Sequence, residues 1–271
     1  MLIDFLRASP SGNNTILVLS PVEETLRAEV FEKLMALRDS WAEQLGFVSF
    51  SPGYDAVLEM SGGEFCGNAS LSLSSYITEL KGLNSGEVTL KVSGAKSPVR
   101  SFIQKKDGYY LGRIEMPAPE ELRPYKIELF GKKCSGFLLR FPGICHIVLD
   151  SAYYDSERTA EPEFVDFLDK KARELKAEAL GLIFFDSENT SILPLVFVRE
   201  VCTLFLEKSC VSGTAALASY LAFKNGSFSG DIFQEGGALR AEAVFSGGQI
   251  KSLFIENKIR LFEKESLEID L

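Results

Sequence analysis

Cys66-Gly67-Asn68-Ala69-Ser70-Leu71-Ser72-Leu73-Ser74-Ser75-Tyr76-Ile77 and Cys210-Val211-Ser212-Gly213-Thr214-Ala215-Ala216-Leu217-Ala218-Ser219-Tyr220-Leu221 read as one motif written twice. Cys, Leu, Ser and Tyr recur in phase, and small residues fill most other places. The copies lie 144 residues apart in a chain of 271, about half its length. Such spacing predicts a duplicated half-chain with two like sites face to face across a cleft. Helices this rich in Ala, Ser and Gly let neighbouring backbone approach closely, which suits burial inside a curved sheet.

The flanking sequence fits two halves of similar order. Leu2 to Leu6 and Thr15 to Leu19 read as strands around a Ser9–Asn14 loop. Ser20-Pro21-Val22-Glu23 reads as a helix start, with Ser as cap and Pro at the first helical position. Val22, Leu26, Val30, Leu34 and Leu37 then keep helical spacing. Strands are expected near 47–50 and 55–60, a helix from Cys66 to about Leu80 with Gly82 ending it, and strands at 87–92, 97–104 and 109–115. Met116 to Pro124 has a linker's composition. Strands follow near 125–130, 134–141 and 144–150. An amphipathic helix carries Phe164, Val165, Leu168, Ala172, Leu175 and Ala179 on one face. Strands at 181–186 and 192–206, the second small-residue helix, and strands to about 257 complete the second half. The predicted class is α+β, with each half a curved sheet around a central helix. Residues 1–118 form the half with Cys66 and 119–259 the half with Cys210, while 260–271 return to the first.

Composition bounds the chemistry. The chain is 46% hydrophobic and 25% charged, with a net charge of −9. No Lys/Arg stripe points to nucleic acid. The N-terminus is too short and charged for a signal peptide, and no apolar run reaches membrane length, so a cytoplasmic setting is expected. The five cysteines are then expected as free thiols. An odd count, no CxxC pair and one histidine argue against a zinc site. The expected partner is a small molecule, and a homodimer is compatible with the sequence, which sets no oligomeric state.

A lone cysteine before a helix is ordinarily a small buried hydrophobe, the reading given to Cys134, Cys145 and Cys202. The duplicated context singles out Cys66 and Cys210. Helix N-termini favour thiolate, so the pKa of both is expected to fall. Backbone N–H groups beside each Cys would hold a substrate carboxylate. One thiolate would remove an α-proton while the opposite thiol delivers one to the other face. Nothing in the sequence calls for a cofactor.

These segments resemble the diaminopimelate epimerase family of cofactor-independent, two-cysteine racemases and epimerases. Gly62-Gly63-Glu64-Phe65-Cys66-Gly67-Asn68-Ala69 stands in place of the first catalytic motif, and Cys210-Val211-Ser212-Gly213-Thr214-Ala215 in place of the second, with Val for Gly. Gly12-Asn13-Asn14-Thr15, Gly143-Ile144-Cys145-His146 and Arg199-Glu200-Val201 are weaker matches. The resemblance implies Cys66 and Cys210 as the acid/base pair. It implies Gly67, Asn68, Val211, Ser212 and Gly213 at the α-carboxylate, His146 and Glu200 near the α-ammonium group, and Asn13 at the site. It also implies that Ile144, Val201 and the Leu180 region replace polar grips on a second amino-acid head. Leaving that head among apolar walls would cost several kcal/mol. The expected substrate is therefore a monocarboxylic amino acid. Gly62 to Ala69 looks most like the histidine racemases of opine-metallophore pathways, which favours histidine. The alternatives are a diaminopimelate epimerase with shifted grips, a related isomerase or dehydratase, and a non-catalytic amino-acid-binding or thiol redox-sensing protein.

Overall fold

The computed structural model describes residues 1–37 and 42–270, which fall into two compact units. The first comprises Met1–Ile114 with Glu256–Leu271, the second Glu115–Ile255.

The first unit begins with β1 (Leu2–Pro10), β2 (Thr15–Val18), α1 (Arg27–Met35), β3 (Gln44–Ser49) and β4 (Ala56–Met60). Next come α2 (Gly67–Leu80), β5 (Ser85–Val92), β6 (Val99–Lys106) and β7 (Tyr109–Glu115). The strands follow in order from β1 to β7. The long last strand of the chain, β16 (Gln249–Glu268), pairs antiparallel with β1 and closes the circuit into an eight-stranded barrel. Strand alternation sends one set of side chains to each face. Ile3, Phe5, Ile16, Val18, Leu45 and Phe47 meet Val30 and Leu34 of α1 outside the sheet. The opposite face surrounds α2, most of whose residues are buried.

The second unit contains β8 (Glu121–Leu129), β9 (Lys132–Phe141), β10 (Ile144–Asp150), the one-turn α3 (Ser156–Thr159) and α4 (Pro162–Glu174). It continues with β11 (Ala179–Asp186), β12 (Ser191–Val198), β13 (Thr203–Leu206), α5 (Val211–Asn225), β14 (Ser227–Gln234) and β15 (Gly237–Ser246). Cys145, Ile147 and Leu149 of β10 and Leu180, Leu182 and Phe184 of β11 pack with Phe164, Leu168 and Ala172 of α4. The other face takes α5, whose Gly213 backbone lies against Ile183.

The pairing senses repeat from unit to unit. β1–β2 is antiparallel, β2–β3 parallel, β3–β4 antiparallel and β4–β5 parallel. The pairs β9–β10, β10–β11, β11–β12 and β12–β14 run through the same senses in the same order. The register repeats too. Leu17 lies opposite Gly46 in the parallel pair of the first unit, and His146 lies opposite Gly181 in that of the second. Among the described residues no helix is long and apolar enough to cross a membrane.

Several local expectations are corrected. Ser20 does not cap a helix; its hydroxyl accepts from the Asp4 N–H at 2.8 Å. A 3-10 turn at Glu24–Leu26 precedes α1, which begins only at Arg27. Ala179 belongs to β11 and not to the amphipathic helix, which ends at Glu174. The expected strand 192–206 is a hairpin, broken by a turn in which Cys202 takes φ +50°. The last strand runs on to Glu268, well past residue 257.

Candidate active site

Each of the two cysteines is the N-cap of a small-residue helix, in extended backbone conformation. Cys66 sits at φ −121°, ψ 112° and Cys210 at φ −119°, ψ 106°. An N-cap side chain normally offers oxygen to the helix's unpaired N–H groups. Here sulfur does so. The Ala69 N–H points to Cys66 Sγ at 3.4 Å, and the Gly213 N–H to Cys210 Sγ at 3.2 Å. A hydroxyl one turn on braces each Cys carbonyl: Ser70 Oγ donates to Cys66 O, and Thr214 Oγ1 to Cys210 O, both at 2.7 Å.

In the first unit a tight turn sets the segment before the cysteine. Ser93 Oγ accepts from the Met60 N–H and donates to Glu64 O, each at 2.9 Å. Gly94, at φ +72°, brings its backbone so close that a Cβ there would sit 2.4 Å from Phe65 N. The half-buried Cys66 thiol donates to Gln44 Oε1 at 2.9 Å. Gln44 Nε2 donates to Thr15 Oγ1 at 2.8 Å and, in a very short contact, to Asn13 Oδ1. Asn13 Nδ2 donates to Glu43 Oε2 at 3.2 Å. Asn13 is fully buried, so its carboxamide joins Glu43 to Gln44 and is not open to solvent. Asn68, also buried, accepts from Asn257 Nδ2 at 3.1 Å.

In the second unit the Cys210 N–H donates to Gln234 Oε1 at 2.7 Å, and Gln234 Nε2 reaches Thr214 Oγ1 at 2.9 Å. This loop of bonds fixes the helix start. Cys210 is 2% exposed, and its neighbour is the Glu207 carboxylate, which accepts from the thiol. Burial first, then the Glu207 charge and hydrogen bond, hold the thiol well above its ordinary range. The Gly213 N–H and Ser212 act the other way and are outweighed. The helix start was expected to lower the pKa of both thiols; at Cys210 desolvation and a carboxylate win over it.

His146 lies on the strand face that looks toward α5, alternate to the Cys145 side. It is fully buried, and neither ring nitrogen has a hydrogen-bond partner. Burial pushes its pKa down to about 3, so the ring is neutral. It packs edge-on to Phe141, and its Nδ1–Cε1 edge lies close to the Gly181 backbone, where a Cβ would come within 2.1 Å of Nδ1. A buried imidazole without partners costs free energy that an apolar residue would not.

Other expected residues separate. Glu200 is exposed in the β12–β13 turn, so the glutamate that meets Cys210 is Glu207. Val201 belongs to the same turn. Leu180 packs on the α4 side with Leu182, and Ile144 alone of the three apolar replacements shares the His146 face. Val211, Ser212 and Gly213 form the buried first turn of α5, and Gly67 opens α2. Sequence reading missed Gln44, Glu43, Glu207 and Gln234. Glu207, three residues before Cys210, carried the one local signal: an acidic side chain just ahead of a helix start. Gln44 and Gln234 come from strands distant in sequence, and Glu43 directly precedes the first of these.

Comparison with known proteins bears on this arrangement. The model of the histidine racemase CntK N-terminal domain matches residues 2–264. A histidine racemase of Fusobacterium nucleatum subsp. nucleatum is 31% identical over 225 residues, covering 81% of each chain. One from Staphylococcus aureus is 28% identical over 243 residues, covering 88% of this chain and 87% of its own. A probable proline racemase from Agrobacterium radiobacter K84 shares the mixed α/β fold, with a TM-score of 0.71 at 14% identity over 99% of this chain and 93% of that one. The chain belongs to the histidine racemase family and is an amino-acid racemase, an isomerase acting on a small-molecule substrate.

Proposed function

We propose that the chain interconverts the enantiomers of histidine, without a cofactor, by a two-base reaction of Cys66 and Cys210. The observation that carries this reading is the pair of sulfur-capped helix starts, whose thiols face the Gln44 amide oxygen in one unit and the Glu207 carboxylate in the other. The first turns of the two helices, at Gly67 and Asn68 and at Val211 and Ser212, present backbone N–H groups that suit the substrate carboxylate. One thiolate takes the α-proton; the other thiol returns one to the opposite face. In this reading Glu207, and not Glu200, is the carboxylate at the second thiol. His146 offers a neutral ring nitrogen near the α-ammonium group. The relatives named histidine racemases support the substrate, and Ile144 on the His146 face supports a site without a second polar grip.

The repeated pairing pattern supports a diaminopimelate epimerase-like plan, in which the units descend from one half-chain. A cytoplasmic setting would keep both thiols reduced. The test is α-deuteration and racemisation of histidine in D₂O by dialysed enzyme. Exchange without added pyridoxal phosphate or metal is expected. More efficient turnover of LL-diaminopimelate than of histidine would overturn the substrate. Activity only with added cofactor would overturn the mechanism.

A further inference from the structure

Glu43, Asn13, Gln44 and Cys66 form one directional chain of hydrogen bonds within the first unit. Cys66 S–H donates to Gln44 Oε1, Gln44 Nε2 donates to Asn13 Oδ1, and Asn13 Nδ2 donates to Glu43 Oε2. An ionised carboxylate only accepts, so the Asn13 NH₂ must face Glu43. That turns the Asn13 oxygen toward Gln44. The Gln44 NH₂ must then face Asn13, and its second hydrogen is taken by Thr15 Oγ1. The Gln44 oxygen is left facing the sulfur. Reversing either amide would set oxygen against oxygen at a fully buried Asn13, and burial makes such an orphaned contact costly.

We propose that Glu43 is a positioning residue that acts through Asn13 and Gln44 to hold Cys66 as the protonated thiol. An amide oxygen stabilises S–H and opposes a thiolate, which needs donors. Two amides thus carry the polarity of a carboxylate to the sulfur. The inference rests on the racemase reading in one respect: the proton so held is the one Cys66 gives to the substrate α-carbon. It leaves behind a thiolate that the same chain drives to regain a proton.

The test is the rate at which iodoacetamide alkylates Cys66 at one fixed pH near neutrality, followed by the mass of the Cys66 peptide. A Cys210→Ser parent removes the second active thiol. Glu43→Gln can donate or accept, so it no longer fixes the amides; Cys66 should alkylate about fivefold faster or more. Glu43→Asp keeps the acceptor and should stay closer to the parent rate. Asn13→Ala cuts the chain but leaves the Glu43 charge, and it should match Glu43→Gln. Equal rates in Glu43→Gln and the parent would overturn the proposal. So would a fast Glu43→Gln beside a folded, slow Asn13→Ala, because charge alone would then be acting. Should Asn13→Ala fail to fold, the Glu43→Gln and Glu43→Asp pair still decides. Alkylation needs no turnover, so these outcomes stand apart from failure of the racemase reading, which turnover of histidine reports.

Discussion

The two helix starts share a backbone and differ in what surrounds the sulfur. Both cysteines adopt the same N-cap conformation, both sulfurs accept a backbone N–H, and both carbonyls are braced by a hydroxyl. Cys66, however, is half-buried and donates a hydrogen bond to a neutral amide, whereas Cys210 is almost fully buried and donates one to a carboxylate. In the proposed reaction, the repeated motif supplies the scaffold of the acid/base pair. Residues outside the motif set how tightly each member holds its proton. Reactions that need one acid and one base from like groups use such environmental separation.

The strongest way to break the comparison is to remove either sulfur. Cys66→Ser and Cys210→Ser should each lower histidine racemisation by at least about 10³-fold, since a hydroxyl is a far weaker acid than a thiol. Circular dichroism should remain native. Slow α-proton exchange of one enantiomer through the remaining thiol is expected in each. Near-wild-type racemisation by either variant would end the pair assignment.

The parallel strand pairs offer a second contrast. A Cβ on Gly46 would meet the flexible Leu58 Cδ1 at 2.6 Å, whereas one on Gly181 would meet the His146 ring at 2.1 Å. A leucine tip can rotate away; an imidazole wedged between Phe141 and backbone cannot. Gly181→Ala should therefore cost about 2–3 kcal/mol and Gly46→Ala about 1 kcal/mol in urea unfolding. An equal or reversed order would show that His146 is free to move.

How much of this was legible follows from what is local. The Cys66 and Cys210 helices could be read because cap, small residues and phase all sit within a dozen positions. The α4 stripe could be read because Phe164, Leu168 and Ala172 keep helical period. The β12–β13 hairpin could not, since its apolar residues run on into the turn, and Cys202 carries no glycine-like sign of its positive φ. Ser20 looked like a cap because Ser-Pro starts many helices, but the Asp4 N–H took its hydroxyl from across the sheet. The motif cysteines were visible, whereas Gln44 and Gln234 depend on which strands pack beside each helix start. Glu200 was chosen by its place in a motif, and a turn carried it to the surface.

Glu207 tests the electrostatic difference directly. Its charge and hydrogen bond raise the Cys210 pKa beyond what burial does. Removing that charge should let the thiol ionise at lower pH. Glu207→Gln should move the ascending limb of kcat/KM for histidine toward lower pH. A limb that stays put, or moves to higher pH, would mean that another group controls it.

The smallest expected effect concerns the helices themselves. α2 carries buried hydroxyls where α5 carries mostly alanine. Ser72, Ser75 and Thr78 each donate to the carbonyl four residues back, at 2.8–2.9 Å. Those carbonyls also serve the helical N–H ladder, so Ser72→Ala leaves no orphaned acceptor, and alanine is the better helix former. Unfolding free energy should change by less than about 0.5 kcal/mol, toward greater stability. Ser74 differs, because its hydroxyl accepts from Ser101 Oγ at 2.7 Å in the buried face against β6. Among the described residues Ser101 Oγ otherwise reaches Val88 O, at a long 3.5 Å. Ser74→Ala should therefore cost about 1 kcal/mol, the usual net loss for a buried hydrogen bond. Measured side by side by urea unfolding, the two variants separate a hydroxyl that only bends back on its own helix from one that ties the helix to its sheet. Equal losses from both would place the value of the α2 serines in their carbonyl contacts, and α2 could not be made to resemble α5 without cost.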